Sequence, residues 1–176
     1  MRKTALSIFA LGVMVSAPDR LQAAVTDIRE NAFSIESTAT LKAPPATVYR
    51  ELAQVSRWWD PAHTWSGSAA NLSLQLQAGG CFCEKLSGGG SVQHGRVINV
   101  QPAVLLRLDA PLGPLQEMPV SGVLTFKLAP SAGGTLVTMT YRVSGAFTMD
   151  SAKLAPIVDS VLATQLERLR AHVGGS

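Results

Sequence analysis

SAKLAPIVDSVLATQLERLRAHV, residues 151–173, is the stretch on which the fold turns. Leu154, Ile157, Val158, Val161, Leu162, Gln165, Leu166 and Leu169 step by three and four. On a helix they form one apolar stripe interrupted only by Gln165. Asp159, Glu167, Arg168 and Arg170 fall off that stripe and are expected to face water. A helix of this kind gains little from propensity alone and must lay its stripe on something large. Nearly everything between residues 31 and 145 reads as strand, so the partner is a curved antiparallel sheet, and the fold class is α+β. A sheet wrapped around one long helix leaves room for a cavity between them.

The strands follow from period-two alternation. Phe33, Ile35, Ser37, Ala39 and Leu41 alternate with polar residues and make the first strand. Pro45 then suits a first helical turn, with Val48, Tyr49 and Leu52 at helical spacing, and a second short helical piece carries residues 55–59. Leu72, Leu74 and Leu76 open a run of hairpins punctuated by Gly79-Gly80 and by Gly88-Gly89-Gly90. Residues 104–109, 120–128 and 137–143 supply the remaining strands, and the proline-bearing loop 111–119 reads as a rigid lip.

If the three glycines form the turn, Glu84 pairs with His94 and Phe82 with Arg96. All then share the more apolar face of the hairpin with Leu86, Val92, Ile98 and Val100. Glu84, His94 and Arg96 become a polar cluster inside an apolar hollow. A carboxylate can orient and charge an imidazole, and a guanidinium can hold an oxyanion, so the trio suits proton transfer or binding of a carboxylate or phenol. Two plainer readings stay open: a buried ion network, or a local bulge that turns His94 and Arg96 to solvent. Cys81 and Cys83 point to the opposite face. Their alpha carbons should lie about 6.5 to 7 Å apart on an extended strand, at the far limit for bridging, so packed thiols are expected.

Trp58, Trp59 and Trp65 are all the tryptophans of the chain. Trp58 reads as a core plug, while Trp59 and Trp65 either pack structurally or line a pocket mouth. Met118, Met139 and Tyr141 are further candidates for a cavity wall, with plain core as the competing reading. His63 reads as a surface histidine. No nucleophile motif, nucleotide loop or metal-ligand spacing occurs, so no cofactor is expected.

The 176 residues, 47% of them hydrophobic, suit one domain with a real core. The formal charge of +3 is concentrated at the N-terminus. Without the first 23 residues, twelve basic and eleven acidic residues remain. No basic run interleaved with aromatics is present, so nucleic acid is not an expected partner. Arg2 and Lys3 precede an apolar run over residues 5–17, with small residues at Ala23 and Ala24. That is the layout of a secretory signal peptide, with cleavage expected after Ala23, and the run is too short for a permanent span. The expected organisation is a signal peptide at 1–23, a flexible segment at 24–30 and one domain at 31–173. The mature protein is expected to be secreted or periplasmic, without stable membrane insertion.

The segments APPATVYRELAQVSRWW, LQAGGCFCEKL, GRVINVQPAVLLRL and GVLTFKLAPSAGGTLVTMTY, followed by the final helix, resemble the SRPBCC or START-like superfamily. The likeness is to its polyketide cyclase and dehydrase type and to the branch of activator of heat-shock ATPase homologues. The resemblance implies a helix-grip fold, with a seven-stranded antiparallel sheet around the C-terminal helix, two short helices after the first strand and an internal hydrophobic cavity. It also implies binding of lipids, polyketides or other hydrophobic molecules, with a minority of members acting as enzymes. Ligand contacts are then expected from Trp59, Trp65, Phe82, Arg96, Met118, Met139 and Tyr141. Two functions stand: a carrier or sensor of a small hydrophobic ligand, or a cofactor-free enzyme in which Glu84 and His94 exchange protons with substrate.

Overall fold

The computed structural model describes residues 22–175, so the expected signal peptide lies almost entirely outside the described residues. The chain runs through β1 (Gln22–Arg29), β2 (Ala32–Leu41), α1 (Pro45–Ala53), α2 (Val55–Trp58), β3 (Leu72–Leu74), β4 (Cys81–Lys85), β5 (Ser91–Gln101), β6 (Leu105–Asp109), β7 (Val120–Ser131), β8 (Gly134–Gly145) and α3 (Ser151–Gly174). All strand pairings are antiparallel, in the order β1-β2-β8-β7-β6-β5-β4-β3. This is the helix-grip arrangement, with eight strands among the described residues where seven were expected. The extra one is β1, which occupies most of the segment expected to be flexible and pairs with β2. Without it the long strand β2 would present an unpaired edge.

The inner face of the sheet is built from the alternating residues read in the sequence. Phe33, Ile35, Ala39, Leu124, Phe126, Leu128, Val137, Met139 and Val143 are all buried in one continuous core. Onto it α3 lays Leu154, Leu162, Gln165, Leu166 and Leu169, all buried. Asp150 caps its first turn by accepting a hydrogen bond from the Ala152 N–H at 2.8 Å. The rest of the stripe, Ile157, Val158 and Val161, is less buried and borders a cavity, which Leu154 and Leu162 also line. Asp159 does not stand free in water as expected. Its Oδ1 is buried with no hydrogen-bond partner among the described residues, and burial pushes its carboxyl above the ordinary value.

Pro45 opens α1, and Val48, Tyr49 and Leu52 turn inward. Trp58 closes the core as expected: its indole donates to the Glu51 carbonyl at 3.0 Å, while Arg168 of α3 donates to the Trp58 carbonyl at 2.9 Å. Tyr141 is fully buried, and its hydroxyl donates to the Ala110 carbonyl at 2.8 Å and accepts from the Leu112 N–H at 3.1 Å. Position 122 must be glycine for this, because a Cβ there would fall 2.6 Å from the same hydroxyl. Tyr141 thereby fixes the start of the loop that becomes the cavity lip.

The β4–β5 hairpin departs from the expected register. Ser87–Gly89 coils into a 3-10 turn, and the Leu86 N–H bonds to the Gly90 carbonyl, so Glu84 pairs with Val92. The ladder then slips at Phe82/Cys83, where His94 is the extra residue on β5. Past that bulge the side-chain parity reverses. Gly95 and Val97 turn inward while Arg96 and Ile98 turn out, Ile98 being 43% exposed. Gly95 accommodates the bulge because a Cβ there would meet that of Ala110 at 2.5 Å. On β4 the cysteine expectation is corrected: the alpha carbons of Cys81 and Cys83 are only 5.4 Å apart, and the two residues form a disulfide across Phe82.

Candidate functional site

A cavity of about 410 Å³ opens between α3, the segment after α2 and the loop between β6 and β7. Its wall is chiefly apolar. Leu154, Ile157, Val158, Val161 and Leu162 form one side, and Leu112, Pro114, Leu115 and Met118 of the lip form another. Trp59 and Trp65 contribute from the segment after α2. Trp59 is buried, its indole donating to the His63 carbonyl at 3.1 Å, whereas Trp65 is 49% exposed at the mouth.

Behind the polar part of the wall lies Glu84, which is 1% exposed. A carboxylate that deep needs donors. Oε2 accepts from the Trp65 N–H at 3.0 Å and meets His94 Nε2 at 2.8 Å, and Oε1 accepts from the Ser66 N–H at 2.5 Å. Burial pushes the carboxyl upward, but hydrogen bonds from Ser66, Trp65 and His94 outweigh it, and the net displacement is below the ordinary value. Glu84 is thus held ionised, ties the 65–66 loop to the sheet and accepts the Nε2 proton of His94. Phe82 braces the imidazole with ring centroids 5.0 Å apart and packs edge-on to Trp59 at 5.2 Å. The His94 ring lies on the cavity wall, and its other nitrogen has no protein partner among the described residues.

The structure therefore joins Glu84 and His94 and leaves Arg96 out, because the bulge that admits His94 sends Arg96 to the outer face. Trp59, Trp65 and Met118 line the cavity. Phe82 lies behind it as support. Met139 and Tyr141 are buried in the core and do not border the cavity. His63 is exposed, as expected, and it also lines the cavity and bonds through Nδ1 to Gln165 Nε2 at 2.8 Å. The signal for it was present in the sequence: a glutamine in the middle of an apolar stripe demands a polar partner. Among the described residues no group of three or more His, Cys, Asp or Glu could hold a metal ion, and no helix is long and apolar enough to cross a membrane.

A family model described as polyketide cyclase / dehydrase and lipid transport matches residues 32–174. No curated protein matches the sequence. Among solved structures, the chain is similar to a putative uncharacterized protein from Rhizobium leguminosarum at 17% identity and TM-score 0.61, covering 89% of this chain and 99% of that one. It is also similar to CalU16 from Micromonospora echinospora, at 18% identity and TM-score 0.58, with 90% and 86% covered. A third is the Aha1 dimer from Colwellia psychrerythraea, at 17% identity and TM-score 0.55, with 80% and 96% covered. These likenesses establish the fold.

Proposed function

Because the chain belongs to the polyketide cyclase / dehydrase and lipid transport family of the SRPBCC superfamily, we propose that it holds a small, largely apolar molecule in the cavity beside α3. The observation that carries this reading is an apolar hollow of about 410 Å³ with an imidazole on its wall that is hydrogen-bonded to the Glu84 carboxylate. Its volume lies within the roughly 300–1,000 Å³ of small-molecule sites. Native mass spectrometry of the protein purified from its own host should reveal a retained small molecule. A naphthalene probe should quench Trp59 and Trp65. Absence of any adduct together with absence of probe binding overturns the reading.

Export belongs to the same proposal, supported by Arg2, Lys3, the apolar run that follows and the alanines at 23 and 24. Cleavage after Ala23 leaves the pairing of Val25 with Ile35 and of Ile28 with Phe33 in place. Sequencing the N-terminus of the mature protein from a periplasmic fraction tests it; a chain that still begins at Met1 overturns it.

One observation favours an enzymatic reading as the second: an ionised Glu84 holds His94 so that the neutral ring has a free basic nitrogen. In that case His94 takes a proton from a bound phenol, enol or ketone and returns it, with no cofactor. Arg96 has no part in it, being on the outer face. Replacing His94 with Gln then abolishes turnover while ligand affinity stays within a few-fold.

A further inference from the structure

Gln165 breaks the apolar stripe of α3 and is 1% exposed, so its amide must be satisfied from within. Its Oε1 accepts from the Asp60 N–H at 2.8 Å. A backbone N–H only donates, which fixes the end of the side-chain amide that is oxygen. The opposite end, Nε2, can only donate, and it meets His63 Nδ1 at 2.8 Å. Nδ1 is therefore the acceptor, and the neutral His63 ring carries its proton on Nε2.

His94 is held by the other end of its ring. The Glu84 carboxylate only accepts, so it takes the proton on His94 Nε2 and leaves Nδ1 as a lone pair. The two rings thus share one tautomer but are gripped at opposite nitrogens. Both lie on the wall of the same cavity, and neither free nitrogen has a protein partner among the described residues.

We infer that the cavity is a two-imidazole site of opposed polarity, with His63 offering an N–H and His94 a lone pair. Its ligand is a largely apolar molecule bearing a carbonyl-type acceptor for His63 and a hydroxyl or enol donor for His94. Gln165 and Glu84 are positioning residues that set which nitrogen of each ring is left free. This rests on the reading of the cavity as a binding site.

The test uses four probes on the full mature chain: naphthalene, 2-naphthol, 2-acetylnaphthalene and 6-acetyl-2-naphthol. Each added polar group should tighten binding about three- to ten-fold, the range of one net hydrogen bond, and the doubly substituted probe should bind tightest. H63F should erase the acetyl increment alone, and H94F the hydroxyl increment alone. Q165E replaces the donor at His63 Nδ1 with an acceptor. It should move the His63 proton to Nδ1, read from imidazole nitrogen-15 shifts, and erase the acetyl increment. Four probes of equal affinity, a wild-type neutral His63 with its proton on Nδ1, or an acetyl increment that survives Q165E while the nitrogen-15 shifts show a neutral His63 ring would each overturn the inference and leave the binding reading intact. Failure of all four probes to bind, together with no retained molecule in native mass spectrometry, overturns the binding reading itself.

Discussion

Glu84 and His94 meet at 2.8 Å across the β4–β5 ladder, although they are not paired in it. The contact exists because β5 gains one residue at His94, which keeps this side chain on the inner face and sends the next charged one, Arg96, outside. A buried carboxylate is thus met by an imidazole and two backbone N–H groups. Removing that carboxylate has consequences that can be measured.

The Glu84 carboxyl lies below its ordinary value of 4.5, so the ionised form stabilises the fold. That contribution is fully present above the unfolded value and is lost as pH falls through the lower folded one. Thermal unfolding followed from pH 7 to pH 3 should show an acid limb that is shallower in E84Q than in the wild type. At neutral pH the variant should be less stable by about 1–3 kcal/mol, since the Trp65 and Ser66 N–H groups and His94 lose a charged acceptor. Parallel acid limbs would refute this role.

Tyr141 anchors the lip through its hydroxyl, so Y141F should cost about 1–3 kcal/mol by leaving the Ala110 carbonyl and the Leu112 N–H without their partner. It should also weaken probe binding, although Tyr141 does not touch the cavity. G122A should act at the same point through overpacking, at a cost of roughly 1–3 kcal/mol. Denaturant unfolding and probe titration measure both effects, and a Y141F of wild-type stability would show the anchor to be idle.

Leu166 and Trp65 should separate stability from binding. L166A empties a fully buried site on α3 and should cost about 2–5 kcal/mol. W65A removes a half-exposed ring at the cavity mouth and should alter stability by no more than about 0.5 kcal/mol while lowering probe affinity. Equal losses of stability in the two variants would contradict the assignment of Trp65 to the mouth.

The Cys81–Cys83 disulfide closes a ring around a single residue, Phe82, whose side chain braces His94. So short a loop removes little unfolded-state entropy, and C81S/C83S should lower stability by only about 1–2 kcal/mol. Its larger effect should be on probe affinity, through Phe82. Intact-mass measurement before and after reduction should show the gain of two hydrogens, and its absence would show free thiols.

Periodicity carried much of this molecule. The alternation in β2, β7 and β8 and the three-four rhythm of α3 identified the inner faces, because burial on one side forces polar and apolar residues to alternate at the spacing of the backbone. The contact of Glu84 with His94, though not its ladder register, was legible for a similar reason: both lie on the inward parity of a hairpin. Arg96 and Ile98 were misplaced because one inserted residue on β5 reverses parity, and the cysteine pair because β4 does not hold the two at the spacing of a fully extended strand. A bulge has no mark in a sequence where several glycines compete to form the turn. Met139 and Tyr141 were separated from Met118 only by depth, which alternation does not encode.

What the residues determined unaided was a helix needing a sheet, a sheet able to curve around it and a carboxylate within reach of an imidazole. What only the tertiary structure decided was where α3 parts from the sheet to leave a hollow, and that His63, 102 positions before Gln165, is gripped by it from across that hollow's rim. Local periodicity fixes which way a side chain faces. Which distant partner waits there depends on how loops close over a core, and that is set by packing summed over the whole chain.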